Sequence, residues 1–484
     1  MLIGDQPMSN KGIDENSIKT FRVGGLELFQ HFDRKIGLSE IMNKHKAKGE
    51  PLGEIAKMLI SELSIEPVSV LHAVEQACQN GMLVPENKNA DMLQASYRAL
   101  AIIGENADEI YTQIFEKVKT NYHPDLSIAY NDVTSTFLNS GNCSIAKRGY
   151  SKDHRPDKPQ VTIGLTTNAA EPVVPIMSSV AEGNKHDAKH FEDDFEKLNQ
   201  RLPKGALFVY DKGVDSDNNR KMIRSAEMHF MTACKMHKPM KEKMRKYKIH
   251  LQPVLKHGSG EQIKSASWEK DGLYYTLYLD ERRQKSDKMR REIKIAKAES
   301  YWNELDEIRI KKGAKALQRK LKIKKKKSFA LQDYVIEHSV AVQQRLAPKK
   351  DVLEKLREDE DLDGMFVLVT SKKASEKKKL KIYRKKASIE KMFSDIKSTL
   401  KLHPLRVWND DRVRGLILLK VICVLMLSLL QMEQQELRNI SKSTIALILK
   451  SLTVVVQISK IGTKTPLGYS HNHEILTKIF SLKS

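Results

Sequence analysis

An aromatic ring, two ammonium groups and a carboxylate recur at helical spacing in Tyr383-Arg-Lys-Lys-Ala-Ser-Ile-Glu390-Lys-Met-Phe-Ser-Asp-Ile-Lys397. Tyr383, Glu390 and Lys397 are seven residues apart each time, about two turns of helix. All three fall on one stripe if the helix reaches back to Tyr383, and Lys386, four before Glu390, shares it. A carboxylate flanked by cations on one face can hold a metal ion while its neighbours hold a phosphate backbone. The same stretch also fits a solvated amphipathic helix laced with i,i+4 charge pairs.

Two more carboxylates stand where a sheet would position them. Ser127–Phe137 is rich in aromatic and β-branched residues and reads as a strand, with Asp132 on the face of Ile128, Tyr130, Thr134 and Thr136. A carboxylate there is costly to bury unless paired or metal-bound. Asp211 follows the apolar run Ala206–Tyr210, the pattern of a central buried strand, and ligand sites gather at the C-terminal ends of such strands. Taken alone, Asp211 also fits an ordinary turn residue.

The elements around these residues follow from periodicity. Residues 20–120 read as helices, and Leu52–Glu62 and Val68–Asn80 fit either a helix-turn-helix reader or a plain bundle. Beyond the first strand come strands at Gln160–Thr166 and Pro172–Met177, a helix at Asp187–Arg201, the strand before Asp211, a helix near Ser216–Ala226 and a strand at Met228–Cys234. Residues 236–362 interrupt this order with a basic, mixed segment holding Gly272–Asp280 as a strand, and strand texture resumes at Gly364–Thr370. Residues 402–484 read as helical. Leu416–Leu430 is apolar but spans 15 residues and includes Lys420, so a buried helix is expected and no membrane.

Charge points to a polyanion. The 484 residues carry 84 Lys and Arg against 61 Asp and Glu, a net +23. Residues 281–330 hold 19 Lys and Arg against 7 acids, and residues 371–390 hold 9 against 2, so the excess is concentrated in two tracts that suit a phosphate-tracking surface. A solvated lysine-rich tail fits Lys324–Lys327 equally well. Four cysteines far apart argue against a disulfide framework or a zinc site, and a polar N-terminus lacks a signal-peptide core; both suggest an intracellular chain.

A first strand with Asp, a neighbouring central strand with Asp and a late helix with Glu is the layout of an RNase H-like fold, and the chain resembles the DDE transposases of bacterial and archaeal cut-and-paste insertion sequences. Within the insertion-sequence family four superfamily, one branch carries a Tyr-x2-Arg-x3-Glu-x6-Lys signature, and Tyr383, Lys386, Glu390 and Lys397 fall at those spacings. Lys386 replaces the Arg, keeping the charge but losing the two-pronged guanidinium grip on phosphate. Four further blocks match in order: Asp132-Val-Thr-Ser-Thr-Phe137, Gly149-Tyr-Ser-Lys-Asp-His-Arg-Pro-Asp157, Gly183-Asn-Lys-His-Asp187 and Asp211-Lys-Gly-Val-Asp-Ser216-Asp-Asn-Asn219.

The resemblance implies a mixed α/β protein with an RNase H-like core in two parts, residues 121–235 and 363–430. Around it are expected a helical DNA-end-binding domain (1–120), a basic insertion (236–362) and a helical C-terminal region (431–484). It implies Asp132, Asp211 and Glu390 as catalytic ligands of two Mg²⁺ (or Mn²⁺) ions, with Tyr383, Lys386 and Lys397 on DNA phosphates. The partners implied are transposon-end and target DNA, with a homodimer in the synaptic complex, in a prokaryotic cytoplasm at the nucleoid. Trp268 is expected either to stack on an unpaired base or to pack inside the insertion. Two rival activities stand beside DNA transposition: a non-catalytic DNA-binding protein derived from a transposase, and an RNase H-type nuclease.

Overall fold

The computed structural model describes residues 18–46, 48, 51–66, 68–80, 91–139, 142–322, 331, 334–338, 344–399, 405–458, 464–471 and 474–481. The chain divides into two compact units, one of residues 1–230 with 384–484 and one of residues 231–383. The class is mixed α/β.

The first unit begins with the short strand β1 (Ile18–Arg22) and helices at Gly24–Ile36, Leu52–Ile65, Val70–Gln79, Met92–Glu105 and Ala107–Tyr122. Leu52–Ile65 lies inside this bundle, with all but Glu54 and Lys57 buried, because its apolar residues run almost all the way round. It therefore forms bundle core.

The sheet that follows is built from β2 (Ile128–Phe137), β3 (Gln160–Asn168), β4 (Pro175–Glu182) and β5 (Leu207–Tyr210), in the order β4-β3-β2-β5. β2 pairs antiparallel with β3 and parallel with β5. Every residue of β3 and β5 is buried, as near-continuous apolar or small-residue strands must be. Phe191 and Phe195, one turn apart on helix Asp187–Arg201, pack against Phe208 with ring centroids 5.6 and 5.9 Å away. Tyr111 ties the bundle to the sheet by donating its hydroxyl to the Pro175 carbonyl at 2.8 Å.

Leu416–Leu430 lies within a longer helix, Asp410–Glu433, which is long and apolar enough to cross a membrane by length and composition but is 94% buried over its apolar window. It packs on Met92–Glu105 and Leu52–Ile65. Burial pushes the Lys420 ammonium down to about 8.

The second unit contains an antiparallel sheet of β6 (His229–Ala233, within the unit from Met231), β7 (Gln252–Lys256), β8 (Gln262–Lys270), β9 (Leu273–Asp280) and β12 (Met365–Thr370), ordered β6-β12-β9-β8-β7. The basic tract forms one long helix, Glu281–Lys322, kinked at Gly313; Lys324–Lys327 lie outside the described residues. A small cluster including Ala298, Leu305, Val352 and Leu356 packs this helix on helix Lys349–Arg357. The hairpin strands β10 (Ile336–His338) and β11 (Gln344–Leu346) pair with each other.

The expectation of an all-helical region after residue 402 is corrected. β13 (Thr453–Ile458) pairs with β1 and with β14 (Lys464–Ser470), making a three-stranded sheet. The run Thr-Val-Val-Val-Gln-Ile is β-branched on most positions, which favours the extended backbone. The expected strand at Pro172–Met177 also moves, to Pro175–Glu182.

Candidate active site

Register brings the two strand carboxylates together. Asn131 of β2 is paired with Tyr210 of β5 in a parallel ladder, so Asp132 and Asp211 stand one step further along adjacent strands. Asp211 lies just past the end of its strand, and its side chain is 48% exposed. The third carboxylate arrives on helix Ala387–Ser394, which packs on β2 and β3 through Ile389, Met392 and Phe393, leaving Glu390 outward and 65% exposed.

Lys386 stands among all three. Its ammonium lies 3.2 Å from Asp211 Oδ1 and 3.6 Å from Glu390 Oε1, and only 5% of its side chain is exposed. Burial alone pulls its pKa down, but the charges of Asp132, Asp211 and Glu390 outweigh that and hold it above the usual lysine value. Burial raises Asp132 above the usual carboxylate range, opposed by Lys386 and by Lys152 and reinforced by Asp211. The Asp132 carboxylate also accepts the Val133 amide at 2.9 Å.

Lys152 is the site residue that spacing did not single out. Its ammonium bonds the Val133 carbonyl and lies 3.1 Å from Asp187 Oδ2, while its backbone amide donates to Ser135 Oγ at 3.0 Å. It is thus a second cation acting on Asp132. The only signal for it was its place in the Gly149–Asp157 block.

The remaining blocks turn out to shape the backbone around the carboxylates. A Cβ on Gly149 would stand 2.2 Å from the Gly183 carbonyl oxygen, and one on Gly183 would stand 1.8 Å from the Gln160 carbonyl oxygen. The two motif glycines thus let three backbone segments touch. Asn219, fully buried, donates to Val214 and Ala188 carbonyls at 2.7 and 3.1 Å. Arg220 grips Asp215 through two bonds of 2.8 and 2.7 Å. Together these fix the turn that carries Asp211.

The helical stripe is only partly realised. The helix Glu376–Lys385 ends, Lys386 intervenes, and Ala387–Ser394 begins anew. Tyr383 belongs to the second unit, where it packs against a cluster of Ile263, Tyr278, Leu368 and Leu380. Lys397 lies on a π-helical turn, Asp395–Thr399, whose wider winding turns it off the Glu390 stripe. Its ammonium pairs with Asp153 Oδ1 at 2.6 Å, with both side chains largely buried. The structure therefore brings Asp132, Asp211, Glu390 and Lys386 to one place and commits Tyr383 and Lys397 to other contacts.

Trp268 is enclosed within the second unit. Its ring stacks between Tyr247, at 4.4 Å and 16°, and Tyr275, at 5.4 Å and 4°. The packing alternative describes it, since both ring faces are already covered.

A family model described as a transposase DDE domain matches residues 135–427. The chain belongs to this DDE transposase family. The matched span holds Asp211, Lys386 and Glu390 and starts three residues after Asp132. No curated protein matches the chain. A solved Mos1 transposase in a paired-end complex with a left transposon end is similar at 13% identity over 38% of this chain and 60% of that one. Its TM-score of 0.16 is too low to carry an argument about fold.

The site can be tested for a metal on its own donors. Three carboxylates whose charges all act on one ammonium are an all-oxygen set of the kind hard divalent cations prefer. Among the described residues no group of three His, Cys, Asp or Glu side chains is gathered closely enough to hold an ion. The donors fit in type alone, since the three carboxylates are not drawn together around one point.

Proposed function

We propose that this DDE transposase cuts DNA at the ends of its element and joins the freed ends to target DNA, using Asp132, Asp211 and Glu390. The observation that supports this best is the parallel register that sets Asp132 beside Asp211 under the helix bearing Glu390. In the first step a water oxygen bonds to phosphorus and gives up a proton, the P–O3′ bond breaks, and the leaving 3′ oxygen takes up a proton to become a hydroxyl. In the second step that hydroxyl oxygen loses its proton and bonds to a target phosphorus, and the displaced 3′ oxygen of the target takes up a proton. Two Mg²⁺ (or Mn²⁺) ions held by the three carboxylates would supply Lewis-acid stabilisation and an acidified water. The chain's own contribution is positioning and charge: Lys386 and Lys152 offset negative charge around Asp132, and the β2–β5 ladder fixes the separation of the two aspartates.

The wider reading goes with it: an RNase H-like core, recognition of terminal repeats by residues 1–120, a DNA-bound homodimer and a prokaryotic cytoplasmic setting at the nucleoid. Incubating the protein with Mg²⁺ and a linear duplex carrying both element ends should give end-specific strand breaks. Asp132→Ala, Asp211→Ala and Glu390→Ala should each abolish them while duplex binding persists. Full cleavage by Asp132→Ala would falsify the assignment.

A second reading is a DNA-binding descendant that no longer cuts. The Lys386 ammonium lying among ungathered carboxylates favours it. Wild-type protein that binds element ends but leaves them intact across Mg²⁺ and Mn²⁺ would select this reading.

A further inference from the structure

Behind the acid-bearing helix lies a cavity of about 400 Å³ within the first unit. Ser388, which lines it, stands two residues before Glu390 and so about 200° round the helix from it, on the opposite side. Lys385, Lys391, Arg438 and Lys442 line the cavity, against two acids, Glu171 and Asp395. Lys385, Lys391 and Arg438 are exposed, and their side chains make no ion pair among the described residues. Lys442 is buried and faces Asp395 Oδ2 at 3.7 Å, beyond hydrogen-bond length.

One buried polar atom at this cavity, Ser388 Oγ, lacks a hydrogen-bond partner, while Asp395 Oδ2 is taken up by the Lys442 ammonium. A buried hydroxyl without a partner is costly, and native structures leave few of them unexplained. The N-terminus of helix Lys442–Lys450, capped by Ser441, opens on the same side and adds the partial positive charge of its first amides. The wall therefore offers an excess of cations, a hydroxyl donor and a helix N-terminus. That combination suits a tetrahedral oxyanion.

We propose that this cavity is a second DNA-backbone site, in which Arg438, Lys391 and Lys385 grip a phosphodiester and Ser388 Oγ donates to one of its oxygens. The proposal rests on the reading that the chain acts on DNA. Its placement across the helix from Glu390 means that the phosphate held here is not the one being cut. A duplex engaged at this cavity approaches from the far side of the helix and bears on its position from there.

The test measures binding of a random-sequence duplex of about 25 bp, since the contact is to backbone and carries no sequence information. Affinity is followed against salt for the wild type, for Lys391→Gln/Arg438→Gln, and for Lys204→Gln, an exposed lysine elsewhere that pairs with Glu227. Ceasing to neutralise one DNA phosphate flattens the slope of log K against log salt by about 0.9. The double variant should show about one such increment and bind several-fold more weakly at low salt, and Lys204→Gln should match the wild type. Lys385→Gln gives an independent reading of the same slope should the double variant fold poorly. A slope equal to wild type in both pocket variants overturns the proposal.

A titration with inorganic phosphate separates a free-anion pocket from a DNA site. Loss of phosphate binding in the double variant with the duplex slope unchanged would overturn the DNA assignment. Failure of the wild type to bind any duplex would instead remove the functional reading beneath it.

Discussion

Lys386 shows how a substitution that looks conservative acquires a distinct role at the scale of one residue. Its four-residue spacing to Glu390 was readable in the chain, whereas its 3.2 Å approach to Asp211 is a tertiary contact and was not. With only 5% of its side chain exposed, it neutralises repulsion among three carboxylates before it can meet any phosphate. Lys386→Met leaves that repulsion unopposed. Breaking a fully buried pair costs roughly 3–5 kcal/mol, but Asp211 and Glu390 are half-exposed or more and partly screened, so a loss of about 1–3 kcal/mol is expected in urea unfolding. Because a ligand that binds the native state stabilises it, added Mg²⁺ should then raise the melting temperature of Lys386→Met by more than that of the wild type. Equal shifts would show that Lys386 and the cation do not compete for the same carboxylates. A second residue-scale test lies away from the site, at buried His190, whose ring bonds Ser179 Oγ at 2.8 Å. Burial first, and then the Lys185 charge, hold its pKa down at about 4 against the usual 6.5. The unfolded chain takes up this proton more readily, so the neutral histidine supports the fold above pH 6.5 and loses that support as pH falls toward 4. Relative to His190→Gln, the wild type should lose up to about 3 kcal/mol across that window in urea titrations. Asp194, raised by burial to about 6, shifts the opposite way and is common to both proteins. A stability difference that stays flat with pH would remove the histidine from the account.

Elements were more legible than contacts. Asp187–Arg201 occupies its expected span, and β2, β5, β6, β9 and β12 lie within a residue or so of theirs, because alternation and apolar runs are local signals. Three features escaped. The β13–β14 pair escaped despite a β-branched run, because pairing with β1 joins segments more than 400 residues apart. The interruption at Lys386 and the π turn after Ser394 escaped because both sides of each junction are helical by composition. The third was the close stacking of backbone at Gly149 and Gly183, visible in the sequence only as two motif glycines. That packing makes a direct prediction. In Gly183→Ala the new methyl meets the Gln160 carbonyl oxygen at 1.8 Å, and neither group is the flexible end of a side chain. The strand edge has to move, which overpacked sites resist at a cost of about 1–3 kcal/mol or more. Chemical denaturation of Gly183→Ala should show at least that loss, together with weaker end cleavage as the Lys152–Asp187 contact shifts. An unchanged midpoint would mean the two loops are not packed as described.

Across the whole molecule the informative quantity is which charges remain unpaired. The net +23 and its clustering were plain from composition, but composition cannot say which cations are engaged in ion pairs. In the helix Glu281–Lys322, Lys285 pairs with Glu261, Arg291 with Asp363, Lys311 with Glu307 and Lys320 with Glu304. Lys288, Lys297 and Lys312 are exposed and make no ion pair among the described residues. If this helix tracks a DNA backbone, these three are among the side chains with charge to offer, and they offer it without regard to sequence. Replacing all three with Gln should flatten the slope of log K against log salt by up to about 2.7, at 0.9 for each phosphate neutralised. The weakening should be the same on element-end and random duplexes, because the bases are not read. Asp132→Ala, by contrast, removes a negative charge and should leave duplex affinity equal or tighter. A triple variant whose salt slope matches the wild type would show that Lys288, Lys297 and Lys312 neutralise no DNA phosphate.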